Sequence, residues 1–108
     1  MFESMNETSW KSSTNKMTKR VEVRFGGKIE EQPNATLSNF ANEYIGGGSL
    51  NSGTAQEEIL FLIFPEMYTS MLFCEPMQKN ESIVMFNVRR YSNYTGFGQS
   101  LEYAGTFQ

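Results

Sequence analysis

Val21, Val23 and Phe25 alternate with Glu22 and Arg24, the two-residue period of a half-buried strand. Gly26-Gly27 ends that segment with a turn, and Lys28 to Glu31 is expected to return as a second short strand. Beyond the Pro33-Asn34 turn, Leu37 to Ala41 reads as a third strand, with Leu37 and Asn39 on one face and Ser38 and Phe40 on the other. The period then lengthens. Ile59, Leu60, Leu62 and Ile63 predict a helix from about Ala55 to Ile63, opened by a capping box at Thr54 and Glu57 and stopped by Pro65. Met67 to Phe73 reads as a short second helix with Met71 and Leu72 inward, and Asn80-Glu81 as a turn. Ser82 to Val88 is an almost continuous apolar run, the pattern of a central strand covered on both faces. Strands alternating with helices predict an α/β fold whose mixed sheet carries flanking helices, with a ligand crevice at the carboxyl ends of its strands.

The stretch between the third strand and the first helix carries the candidate chemistry. Asn39-Phe-Ala-Asn42 is followed by Gly46-Gly47-Gly48, seven further residues, and Gln56-Glu57-Glu58. Three glycines without Cβ atoms let backbone N–H groups come close to a ligand, and the helix start that follows suits an anionic group such as a diphosphate. Taken one at a time these features are ordinary: a glycine run is a flexible connection, Asn42 a turn residue, and Glu57-Glu58 an acidic first turn.

Composition narrows the chemistry. The chain has 108 residues, 39% of them hydrophobic and 14% aromatic, which favours folding over disorder. Histidine is absent and Cys74 is the single cysteine. That composition excludes Ser-His-Asp and Cys-His catalysis, an internal disulfide and a zinc site, leaving carboxylates, amides, hydroxyls and backbone dipoles, with no metal or cofactor expected. The net charge of −3 gives no general reason to bind DNA or RNA. Residues 1–20, rich in Ser, Thr, Asn and Lys, read as a loose leader without a signal-peptide core, and no apolar run is long enough to span a membrane. An intracellular protein is expected.

The order Asn-Phe-Ala-Asn, Gly-Gly-Gly, seven residues, Gln-Glu-Glu resembles the signature of the poly(ADP-ribose) glycohydrolases. The similarity continues outward through Gly27-Lys-Ile29-Glu30, Phe61-Leu-Ile-Phe-Pro65-Glu66 and Tyr91-Ser-Asn-Tyr94-Thr-Gly96-Phe97. The resemblance implies a macrodomain-like catalytic core, of which residues 21–108 form a partial, incomplete segment. It implies hydrolysis of ribose-ribose O-glycosidic bonds with release of ADP-ribose, in the nucleus or cytoplasm and in the response to DNA damage. Poly(ADP-ribose), ADP-ribose and ADP-ribosylated proteins are the implied partners. By the same resemblance Glu58 supplies the proton, and Glu57 positions ribose hydroxyls. Asn42 bonds the ribose near the scissile linkage, Gly46, Gly47 and Gly48 cradle the diphosphate, and Gln56 completes the binding motif. Ile29 and Glu30 contact adenine, and Phe97 stacks on it.

Two positions depart from the family pattern. Asn39 stands where the family has an aspartate associated with activity, so a charge is replaced by a neutral amide of the same shape. Phe97 stands where a tyrosine is usual, which keeps the stacking ring and loses a hydroxyl. These departures support an alternative: a noncatalytic ADP-ribose-binding module, or a fragment without function of its own. Neighbouring helical side chains diverge by about 100°, so Glu57 and Glu58 are not expected to flank one bond. A single acid is the simpler mechanism. An incomplete sheet also leaves an unpaired edge, with Ile83 to Phe86 as its exposed apolar part.

Overall fold

A computed structural model describes residues 12–108, which divide into two compact units with the break between Ser38 and Asn39. Much of the leader expected over residues 1–20 lies outside the described residues; residues 13–20 are exposed and irregular.

In the unit ending at Ser38 the glycine and proline turns form as expected. Gly26 and Gly27 take φ of 84° and 82°, and Asn34 takes φ of 56°. The strands do not form. Val21, Val23 and Phe25 are 70%, 75% and 98% exposed and belong to no ladder, because alternation selects a face but only a partner strand makes a sheet. Lys28 to Glu31 is not a second strand either: Ile29–Glu31 is one 3-10 turn. Glu31 closes it locally, its carboxylate accepting the Lys28 N–H at 3.0 Å while its own N–H reaches the Lys28 carbonyl at 3.1 Å.

The unit Asn39–Gln108 is built around one helix, α1 (Gln56–Ile63). Its start lies one residue after the expected position and its end agrees. Pro65 cannot continue the α-helical ladder and instead opens a 3-10 segment, Pro65–Leu72. The core is α1 with its immediate neighbours: Ile59, Leu60, Phe61 and Ile63, joined by Ile45, Phe64 and Met67. Phe61 is fully buried and meets the Tyr68 ring edge-on, with centroids 5.3 Å apart. The 3-10 period corrects the expectation for Leu72. Three residues per turn place Glu66, Thr69 and Leu72 in one exposed row, so Leu72 faces outward while Met67 is buried.

The sheet among the described residues is a two-stranded antiparallel hairpin of β1 (Ser92–Thr95) and β2 (Glu102–Thr106). Tyr94 pairs with Tyr103 and Ser92 with Thr106, so β2 carries one extra residue, and Gly105 absorbs that bulge at φ 97°. The hairpin is fixed to the end of α1: the Tyr91 N–H donates to the Ile63 carbonyl at 2.9 Å. Glu66 adds two bonds, accepting the Arg89 N–H at 2.8 Å and the Tyr91 hydroxyl at 2.9 Å.

The other expected strands are irregular. Residues 37–41 belong to no ladder, and Phe40 is 82% exposed. Ser82 to Val88 is not a covered central strand: Ile83 makes one isolated bridge and Val84 and Phe86 face outward. Two-sided coverage requires neighbouring strands that the described residues do not provide. Asn87 at φ 61° also breaks the extended run.

Two phenylalanines should therefore respond oppositely to truncation. Phe61→Ala is expected to lose about 3–5 kcal/mol, read from urea unfolding, because it leaves a cavity behind α1. Phe86→Ala should stay within about 0.5 kcal/mol. A comparable loss at both positions would contradict this placement of the core.

Candidate functional site

The glycine loop is folded back onto the N-terminus of α1. Its turns close through the Gly47 N–H to the Tyr44 carbonyl (3.0 Å), the Ser49 N–H to Gly46 (3.0 Å), and the Asn51 and Gly53 N–H groups to Gly48 (2.9 and 3.1 Å). Gly46 and Gly47 adopt φ of 91° and 50°, a region that side chains with a Cβ rarely enter. Space adds a second demand at Gly46. A Cβ there would overlap the Met71 side chain and come within 3.0 Å of the Phe61 ring.

The expected capping box forms one residue later. Ala55 is the N-cap in extended backbone, and Glu58, three residues on, accepts the Ala55 N–H at 3.0 Å. Alanine has no side-chain acceptor, so only this half of the box exists. The shift leaves Glu57 free to turn the other way. Its Oε1 accepts the Gly46 N–H at 2.8 Å and the Asn39 side-chain amide at 3.3 Å, and its Oε2 accepts the Asn42 N–H at 2.8 Å. Glu58 Oε1 accepts the Gly48 N–H at 2.9 Å. Gln56 holds the incoming segment through the Phe40 N–H at 2.8 Å, and the Asn42 side chain accepts from the Tyr44 N–H at 3.0 Å in an Asx turn.

Glu57 and Glu58 are only 4% and 8% exposed, unusual for ionisable side chains unless they are well bonded. They also converge, contrary to the expected divergence. A Cβ on Gly47 would lie 2.7 Å from Glu58 Oε1 and 2.9 Å from Glu57 Oε2, so both carboxylates reach the same point of the loop. Length explains it: both side chains bend back toward the backbone donors that precede the helix. The Gly48 N–H is the largest influence holding the Glu58 carboxyl below its ordinary range. The Ala55 and Glu58 N–H groups add to it, and together they outweigh burial, which acts in the opposite sense.

The expected cradle of glycine amides is reversed. The N–H groups of Gly46, Gly47 and Gly48 all donate within the protein, two of them to the carboxylates. The glycines allow the carboxylates to approach rather than offering these three donors to an anion. Asn39, Asn42, Gly46, Gly47, Gly48, Gln56, Glu57 and Glu58 are thus gathered into one bonded cluster. Asn39 Oδ1 is buried there without a partner. Ile29 and Glu30 lie in the 3-10 turn of the other unit. Phe97 is 63% exposed at the tip of the hairpin, where its N–H donates to the Ser100 hydroxyl at 3.1 Å. Sequence reasoning assigned no role to Gly53, where a Cβ would stand 2.6–2.8 Å from the Glu58 side chain; spacing along the chain carries no signal of that contact.

A family profile described as poly(ADP-ribose) glycohydrolase, macro domain fold, matches residues 7–108. Probable poly(ADP-ribose) glycohydrolase 2 of Arabidopsis thaliana is 43% identical over 100 residues, covering 92% of this chain and 19% of that protein. Poly(ADP-ribose) glycohydrolase 1 of the same plant is 49% identical over 82 residues, covering 75% of this chain and 15% of the relative. Poly(ADP-ribose) glycohydrolase 1 of Caenorhabditis elegans is 42% identical over 95 residues, with shares of 88% and 12%. The chain therefore spans less than a fifth of the length of these relatives.

The bonding of Glu58 has a pH consequence. Its folded pKa is lowered, so its contribution to stability is complete above the unfolded value of about 4.3 and is lost as pH falls through the folded value. Chemical denaturation of the wild type between neutral and acidic pH should show a decline below that point. Glu58→Gln should flatten this part of the curve, and an unchanged decline in the variant would remove Glu58 as its source.

Proposed function

The chain belongs to the poly(ADP-ribose) glycohydrolase family, of macro domain fold, and from that premise we propose that it carries the acid-bearing part of a glycohydrolase site. Residues 21–108 on this reading are part of a catalytic domain whose mixed sheet with flanking helices is larger than the hairpin and α1. The substrate is poly(ADP-ribose), or ADP-ribose units on modified proteins, inside the cell. The observation that carries the proposal is the pair of buried carboxylates converging on Gly47 beside Asn42.

In the proposed reaction the ribose-ribose O-glycosidic bond breaks through an oxocarbenium-like centre. The leaving oxygen takes a proton from Glu58, water adds its hydroxyl to the anomeric carbon, and the proton of that water returns to Glu58. Glu57, bonded on the other side of the loop, orients ribose hydroxyls together with Asn42. The half-buried Gly47 and Gly48 let the diphosphate approach closely, and Phe97 is assigned to adenine. An ionised Glu58 cannot donate a proton. The negative diphosphate supplies what the protein alone lacks, since a like charge nearby disfavours the carboxylate and raises its pKa. Binding and protonation are then coupled.

A second reading, a noncatalytic ADP-ribose-binding module, is favoured by two observations. Three backbone donors hold Glu58 as a carboxylate, and residue 39 is an amide that donates to Glu57 where a carboxylate would repel it.

Turnover of poly(ADP-ribose) and calorimetric ADP-ribose affinity, measured in parallel, separate the two. For the glycohydrolase, Glu58→Gln should lower turnover by about 10²–10⁴-fold with affinity retained, since the amide keeps the size of the acid and has no acidic proton. Asn39→Asp should raise turnover, because it restores the carboxylate that the family pattern carries at this position. For the binding module, the parent binds ADP-ribose without turnover. Full turnover in Glu58→Gln would overturn the assignment of the proton donor.

A further inference from the structure

Gly53 is a glycine for a different reason from most others in the chain. Gly26, Gly98 and Gly105 have open space where a Cβ would go, but their φ values of 84°, 59° and 97° call for glycine on conformational grounds. At Gly53 the backbone lies outside the left-handed region and makes no such demand. Space alone excludes a side chain there. A Cβ would stand 2.6 Å from Glu58 Cγ, 2.8 Å from Cδ and 2.8 Å from Oε1, closer than real Cβ atoms come. The obstructing atoms are not a flexible side-chain end, since Glu58 is 8% exposed and its carboxylate is tied to the N–H groups of Gly48 and Ala55.

The same two glycines also grip each other. The Gly53 N–H donates to the Gly48 carbonyl at 3.1 Å, and a Cβ on Gly48 would lie 3.1 Å from Gly53 Cα. Gly48 is therefore bonded to Gly53 through its carbonyl and to Glu58 through its N–H. Glu58 lies between the bare Cα of Gly53 on one side and the Gly48 and Ala55 donors on the other.

We propose that Gly53 is a positioning residue for Glu58, the wall that fixes where its carboxylate stands in the site. This rests on the reading of Glu58 as proton donor only for its catalytic consequence; the positioning itself is independent of it. A methyl group at residue 53 has two outlets. It can push the Glu58 carboxylate off the Gly48 N–H, or it can part the Gly48–Gly53 turn. Both move the acid relative to the loop, and neither touches Glu57, whose donors are Asn39, Asn42 and Gly46.

Thermal melts of Gly53→Ala, Glu58→Ala and the double variant test the contact, with the exposed neighbour Ser52→Ala as control. Gly53→Ala is expected to lower Tm in the presence of Glu58 and to leave Tm unchanged in the Glu58→Ala background, where the three atoms nearest the added methyl are gone. Equal losses in both backgrounds would overturn the proposal. If Gly53→Ala alone does not fold, the double variant should fold with the Tm of Glu58→Ala, and its failure to do so would overturn the proposal as well. Carbon NMR titration of the Glu58 carboxyl supplies a readout that general destabilisation would not move. Its pKa should rise in Gly53→Ala and stay put in Ser52→Ala; no rise in the folded Gly53→Ala protein counts against positioning. In the glycohydrolase assay Gly53→Ala should reduce kcat about a hundredfold with little change in KM. A parent protein without turnover would defeat the glycohydrolase reading while the melts and the titration still decide the role of Gly53.

Discussion

Two buried carboxylates bonded to backbone N–H groups determine the shape of the candidate site. The first turn of a helix has N–H groups without partners, and a loop bent at positive φ presents more of them. Glu57 takes those of Asn42 and Gly46, and Glu58 takes those of Gly48 and Ala55. Both carboxylates are deeply buried and need such donors, and the Gly46 N–H, itself buried, needs an acceptor. Loop and helix start consequently hold each other in place. The apolar part of the arrangement lies beneath this layer, where Gly46 meets Met71 and Phe61.

On the proposed glycohydrolase reading, this bonding gives the acidic groups two tasks that oppose each other. The donors that order the loop also stabilise the negative form of Glu58, whereas a general acid must hold a proton when the substrate arrives. An anionic ligand bound beside such a carboxylate would reconcile them, because its charge favours protonation. Asn39 bears on the same balance. Its side-chain amide donates to Glu57, while its carbonyl oxygen is left buried and unpaired.

The packing around the site is uneven. Buried apolar side chains are concentrated on α1 and its two flanks, while Phe40, Leu72, Phe73 and Phe86 are each about four-fifths exposed. The hairpin is attached to the C-terminal end of α1 through Tyr91 and Glu66, a polar attachment in place of an apolar one. Glu66 is held below the ordinary carboxylate range mainly by the Arg89 N–H and the Tyr91 hydroxyl, so the attachment is a charge-assisted one at a solvated surface.

The sequence by itself determined the local features: the helix over Gln56–Ile63, its stop at Pro65, the turns at Gly26-Gly27 and Pro33-Asn34, and the family, through the spacing of Asn39, the three glycines and Gln56-Glu57-Glu58. Periodicity and spacing are properties of neighbouring residues, so they can be read without knowing what packs against them. The strands at Val21 to Phe25 and Ser82 to Val88 could not be read in this way, because a strand exists only through hydrogen bonds to a distant segment, and the described residues supply no ladder for these runs beyond the single bridge at Ile83. Tertiary structure also decided that the glycine amides face the carboxylates, that Glu58 rather than Glu57 caps α1, and that Gly53 must lack a side chain. Each of these depends on how a loop folds over a helix end, where a fraction of an ångström between nonadjacent atoms determines which donor meets which acceptor.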